Sequence, residues 1–238
     1  FPSRIASAYH EGPAELVDDA LAASRAAQRE WRNVPLAERI ERMRPAIDYV
    51  TKHAEEWAVR VAIEVGKPYA AALAEANEVR DLLEFQLQYA SAPGAFEDER
   101  TADPSGAASD SVLKPYGVFG VIVPFNYPIV QAAGPVIAAL LAGNGIVVKT
   151  SHHGPWSGHA VAEFTAAMDL PVGLVNVIHG EDEPGKALVA SDIDGICFTG
   201  SVATGRKVGE ACAGRFIPAS LELGGKDPAL VLSDADVE

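Results

Sequence analysis

Four stretches of this chain have residue types and spacings that could do chemistry. In Leu221-Glu222-Leu223-Gly224-Gly225-Lys226 a single carboxylate sits between leucines. Apolar surroundings push a carboxyl pKa up and fit it to act as a general base; the alternative is a Glu paired with a buried Arg or Lys. Asn126 follows Pro124-Phe125 and precedes Tyr127-Pro128, and the two prolines restrict the backbone and help aim its amide. That amide can donate to a developing oxyanion, or it can close a turn on its own backbone. Phe198-Thr199-Gly200-Ser201-Val202-Ala203-Thr204-Gly205 reads as a strand ending in Gly-Ser where a helix starts at once. Its backbone N–H groups and helix dipole suit a phosphate, or the serine is a plain structural cap. Gly205 would let strand and helix pack closely, although the spacing is not G-x-G-x-x-G. Lys149 ends the run Ile146-Val147-Val148 and is costly to bury unpaired, so it should meet an anion or hydroxyls. Cys197 and Cys212 read as small buried hydrophobes. His152-His153 reads as a loop, and with no partner at ligand spacing no metal site is expected.

The elements that must position these residues follow a simple rhythm. From Gly117 onward the pattern alternates strands (118–123, 146–149, 174–179, 194–199, 219–223) with helices (129–141, 156–168, 184–191, 202–212). Such alternation predicts a parallel sheet with helices on both faces, and its ligand crevice lies at the carboxyl ends of the strands. Pro128 suits the first turn of the helix after Asn126, and Ala142-Gly143-Asn144-Gly145 suits its end. Ahead of the sheet, helices are expected over 13–31, from about 37 with a kink at Pro45, from about 53 to 65, and over 69–89. Leu36, Ile40, Met43, Ile47 and Val50 form one buried stripe, and Leu82, Leu83, Phe85 and Leu87 pack. Arg60, Arg80 and the scattered Glu residues there read as a solvated face. Residues 93–116 hold Pro, Gly, Ser and Asp clusters with short extended pieces near 112–114, which fits a hairpin or protruding arm.

At 238 residues and 48% hydrophobic, the chain can bury a sizeable core. A net charge of −14 argues against a general nucleic-acid or anionic-membrane surface. No apolar run is long enough to span a membrane. Two cysteines and no signal-like start fit a reducing, cytoplasmic setting. The chain begins at Phe1 without Met and stops at Glu238 as a new helix begins, so it reads as a piece of something longer.

Taken together, the blocks P-F-N-Y-P (124–128), A-G-N-G-I-V-V-K (142–149), L-P-V-G-L-V-N-V-I-H-G (170–180), F-T-G-S (198–201) and L-E-L-G-G-K (221–226) resemble the aldehyde dehydrogenase superfamily, in order and separation. Asp234-Ala235-Asp236 continues the match. The resemblance implies an α/β fold: a doubly wound, Rossmann-like parallel sheet preceded by helices, with a protruding oligomerisation hairpin. Residues 1–95 and 117–238 would form the dinucleotide-binding domain and 96–116 the hairpin, with the catalytic domain absent from this chain. It implies an NAD(P)-dependent, non-acylating oxidoreductase that takes an aldehyde to an acid through a cysteine thiohemiacetal and thioester. Asn126 would be the oxyanion donor, and Glu222 the base that activates water for thioester hydrolysis. Gly200 and Ser201 would contact the pyrophosphate, with Phe198 and Thr204 of the same block beside them. Lys149 would reach the adenosine ribose, together with Ser151 and His152. Val123, Pro124, Phe125, Gly185, Leu223 and Gly224 would line the cofactor cleft. The implied partners are a small-molecule aldehyde and further copies of the chain, as a homodimer or homotetramer, with no nucleic acid and no membrane.

Two departures stand out. The family's nucleophilic cysteine lies well past the glutamate of L-E-L-G-G-K, and neither Cys197 nor Cys212 matches it. These residues alone are therefore expected to bind coenzyme and oxidise nothing. The family also commonly has Lys-Pro-Ser-Glu where this chain has Lys149-Thr150-Ser151-His152. Losing that carboxylate removes repulsion of a 2′-phosphate, so NADP is expected to be accepted as well as NAD. Two rivals stand beside this reading: a truncated, non-catalytic dinucleotide-binding or assembly module, and an acylating relative. Glu222 favours hydrolysis over acyl transfer to coenzyme A.

Overall fold

Four helices lead the chain in the computed structural model, which describes residues 9, 12–13, 15–96, 98–102, 105 and 108–236. They are α1 (Glu15–Trp31), α2 (Leu36–Met43), α3 (Pro45–Val65) and α4 (Tyr69–Ala90). Pro45 divides a helix rather than kinking one. Its missing N–H breaks the hydrogen-bond ladder, so α3 starts there and not near residue 53. Gly66 stops α3 in the left-handed region at φ 74°, and Pro68 immediately precedes α4. Ile40, Met43 and Val50 are buried as the stripe requires, and Leu36 and Ile47 pack beside them. Phe85 departs from expectation: Leu83 and Leu87 are buried, but Phe85 is 63% exposed and stacks on Tyr89. Arg60 is not on a solvated face either. It is buried, with its guanidinium donating to Glu163 and Glu56.

An antiparallel hairpin follows, with β1 (Glu99–Ala102) paired to β2 (Ala108–Ser111) in the register Glu99↔Ser111. The extended pieces thus lie ahead of 112–114. All of β2 is exposed.

The second half alternates as read: β3 (Val118–Ile122), α5 (Val130–Leu141), β4 (Gly145–Lys149), α6 (Pro155–Ala166), β5 (Val175–Ile178), α7 (Asp182–Ala190), β6 (Gly195–Gly200), α8 (Val202–Ala213) and β7 (Ala219–Leu223). Pro128 lies just before α5 instead of inside its first turn. The helix start read at 236–238 falls largely outside the described residues. The five strands form one parallel sheet in the order β5-β4-β3-β6-β7. Alternate side chains divide between two cores. Val121, Val123 and Val148 join the core of α5 and α6, on which α3 and α4 lie with Trp57, Val61 and Leu83. Val118, Val147, Ile196 and Phe198 face α1, α7 and α8. Each fully buried aliphatic or aromatic side chain contributes about 1.5–3 kcal/mol. Among the described residues no helix is long and apolar enough to cross a membrane.

Candidate functional site

Each helix that follows a strand points its N-terminus, with unpaired N–H groups and positive dipole end, at the carboxyl edge of the sheet. Two of these starts are already filled by the protein's own carboxylates. Glu75 of α4, 1% exposed, accepts from the backbone N–H of Ile129 (3.0 Å) and Val130 (3.3 Å) at the start of α5. Glu64 of α3 accepts from Trp156 N–H (2.9 Å) and from the N–H and hydroxyl of Ser157 (both 2.7 Å) at the start of α6. At the third start, α7 opens with Asp182 and Glu183 after Glu181. The fourth, α8, has no acidic residue in its first turn. Its N-cap is Ser201, whose Oγ accepts from Thr204 N–H at 3.2 Å. Of these four helices, α8 alone opens without a carboxylate.

Beside that start, between α7 and α8, lies a cavity of about 400 Å³. Of the residues expected to bind a cofactor, Lys149, Gly185, Phe198 and Thr204 line it. A side chain on Gly185 would meet nothing within 4 Å, so open space adjoins it. Lys149 is buried, and its Nζ donates to Gly180 O. Sequence reasoning missed Ile122, Asp182, Lys186, Val189, Lys207 and Val208, which also line the cavity. A signal existed: 182, 185, 186 and 189, and likewise 204, 207, 208 and 211, each form one helical face. The size and mostly apolar walls suit an adenosine, and the neighbouring helix start suits its phosphates.

The other expected residues lie along the carboxyl edge outside that lining. Val123 is buried, and its N–H donates to Lys149 O (3.2 Å). Phe125, next to Pro124, is half-exposed with its ring edge-on to His153. Ser151 and His152 occupy the loop after β4, where His152 packs against His153. Gly200 ends β6. Leu223 packs on Gly205, where any added Cβ would come 2.2 Å from it, and Gly224 has open space around it. Gly205 therefore does permit the close approach of α8 to the sheet.

Glu222 requires a correction. It is exposed, not wrapped in leucine. Leu221 and Leu223 point to the other face of β7, against Gly209 and Gly205 of α8. Sequence neighbours in a strand lie on opposite faces, so the flanking leucines cannot surround the carboxylate. Asn126 is exposed in the loop after β3. Strands β3 and β7 are separated by β6, which puts the two strands roughly 10 Å apart in the sheet. The loop's backbone is held: Lys67 Nζ donates to Asn126 O (3.2 Å) and stands 3.3 Å from the centroid of the Tyr127 ring. Neither cysteine is poised to react, since burial pushes both thiols up; Cys212 is 2% exposed. Behind Lys149, His179 bonds Thr150 Oγ1 (2.8 Å), and its pKa is lowered to about 4, chiefly by burial and then by His159 and Lys149.

The profile of the aldehyde dehydrogenase family matches residues 3–238. An N-succinylglutamate 5-semialdehyde dehydrogenase of Caulobacter vibrioides is 36% identical over 231 residues, covering 94% of this chain and 48% of that protein. Among solved structures, an NADP-dependent glyceraldehyde-3-phosphate dehydrogenase from Bacillus halodurans in complex with NADP superposes with a TM-score of 0.85. It is 33% identical, over 94% of this chain and 48% of that one. The NAD+ complex of an aldehyde dehydrogenase from Bacillus cereus gives 0.85 at 32% identity, over 95% and 47%. The chain thus spans about half the length of the relatives it matches.

Proposed function

Because the chain belongs to the aldehyde dehydrogenase family, we propose that it forms the coenzyme-binding half of an enzyme that oxidises an aldehyde to a carboxylic acid with NAD or NADP. The observation that carries this reading is the cavity between α7 and α8 beside the one carboxylate-free helix start. The bound coenzyme would supply the hydride acceptor. The chain's own residues do the rest of the binding. The α8 N–H groups and Ser201 hold the diphosphate, Lys149 offers its ammonium to the ribose hydroxyls, and Phe198 and Gly185 leave room for the adenosine. The Asn126 amide donates to the oxyanion formed when a thiolate adds to the aldehyde. Glu222, exposed on the face of β7 opposite α8, takes a proton from the hydrolytic water. The thiolate comes from sequence outside these residues, because neither Cys197 nor Cys212 is accessible and acidic enough to serve.

The hairpin β1–β2, whose second strand is exposed throughout, is the proposed contact between copies in a homodimer or homotetramer, and two free thiols suit a cytoplasmic setting. Calorimetric titration of NAD and NADP into this chain, with adenosine as competitor, tests the binding half. The complete protein, assayed with aldehydes, should give free acid and not a thioester. Failure of both coenzymes to bind, or failure of adenosine to compete, would remove the reading.

A further inference from the structure

The pair Lys67–Glu75 ties the α3–α4 junction to the loop after β3 and the start of α5. Glu75 is buried on α4 and uses both oxygens: Oε1 accepts from the first amides of α5, and Oε2 meets Lys67 Nζ at 2.7 Å. Lys67 stands between left-handed Gly66 and Pro68, so its backbone is fixed by both neighbours. Its ammonium has three donors. One goes to Glu75, one to the carbonyl of Asn126, and the third side faces the Tyr127 ring. One carboxylate and one ammonium therefore grip the chain at Asn126, Tyr127, Ile129 and Val130. A buried ion pair adds little stability over well-packed apolar residues of the same size, which leaves geometry as what this one secures.

We propose that Lys67 and Glu75 are positioning residues for Asn126, fixing its backbone so that only its side-chain torsions remain to be set before the amide meets an oxyanion. The proposal rests on reading Asn126 as the oxyanion donor. The double variant Lys67→Met, Glu75→Gln removes the pair without stranding a charge, and the Gln oxygen can still accept from Ile129 and Val130. By NMR, the Asn126 backbone amide should pass from restricted to mobile, while the Ile129 and Val130 amides stay protected and coenzyme affinity is unchanged. In the complete enzyme kcat should fall about tenfold with the coenzyme KM unchanged, as for a misaimed donor. That loss should vanish when the same change is made in an Asn126→Ala background. Should the double variant not fold, Lys67→Arg keeps the charge beside Glu75 but displaces it from the Asn126 carbonyl, and the same amide is read. Unaltered Asn126 mobility, or a kcat loss that persists in full without the Asn126 amide, overturns the proposal. A wild-type enzyme that oxidises no aldehyde would instead overturn the functional reading, and the NMR result would still decide the clamp.

Discussion

Replacing Ser201 with Asp asks where the diphosphate is held while leaving the fold alone. Ser201 caps α8 by accepting from Thr204 N–H. Aspartate caps a helix as well as serine does, so α8 should persist, with a gain of about 0.3–1 kcal/mol from the dipole. The new carboxylate would lie about 4 Å from the phosphate oxygens. At an effective dielectric constant of about 20, two unit charges at about 4 Å repel by about 4 kcal/mol. Ser201 is exposed, and solvent and salt screen that repulsion to roughly 1–3 kcal/mol. Coenzyme binding should weaken by about tenfold to a hundredfold at that cost. Adenosine carries no charge and should bind the α7–α8 cavity as before. Calorimetry with NAD, NADP and adenosine at low and high salt reads all three outcomes, and a thermal melt checks the fold. A folded S201D variant that keeps wild-type affinity for NAD and NADP would refute the assignment of the diphosphate to α8.

Three further expectations follow from other residues. His152→Glu should weaken NADP binding by about tenfold relative to NAD by restoring a carboxylate near the 2′-position; an unchanged ratio in a two-coenzyme titration would show that this loop does not face the ribose. Glu222→Gln in the complete enzyme should slow acid release by about 10²–10⁴-fold with coenzyme affinity intact; quantified product at the wild-type rate would exclude it as the base. His179 sets a pH dependence. Its folded pKa, about 4, lies below the value near 6.5 of the unfolded chain, so between the two the unfolded state binds more protons. Its contribution is full above about pH 6.5 and lost as the pH falls towards about 4. The full shift is worth about 3 kcal/mol, which the partly exposed position of the ring reduces to roughly 1–2 kcal/mol. Urea midpoints at about pH 7 and about pH 4.5 should therefore converge between wild type and His179→Gln at the acid end, and parallel behaviour would contradict this.

The strands and their following helices were legible because each is a short apolar run with turn residues at both ends, and the register of buried side chains follows from that alone. What the sequence hid depends on which surface another element covers. Glu64 and Glu75 look like ordinary helical surface charges until α6 and α5 start against them. Arg60 looks the same until Glu163 of α6 meets it. Phe85 looks like core by type, yet its side of α4 has nothing packed on it sufficient to bury it. Glu222 looks apolar by its neighbours in sequence, but a strand's alternation sends both leucines to α8 and leaves the carboxylate on the other face.

In the proposed reading, the carboxylates at the starts of α5 and α6 also explain how a chain of net charge −14 would accept an anionic ligand at one place and not four. Charges farther apart than about 8–10 Å are largely screened at ordinary ionic strength, so the choice is made locally. At α5 and α6 the helix N–H groups are satisfied by Glu75 and Glu64, and a phosphate arriving there would meet a carboxylate and no free donor. At α7 the first turn is itself acidic. At α8 the dipole is uncompensated, and the adjoining cavity is lined by Lys149, Lys186 and Lys207 as well as by Glu181 and Asp182 of the α7 start. Two starts are closed by carboxylates and a third is acidic, so in the proposed reading an anion's place on this sheet edge would be set by exclusion as much as by attraction.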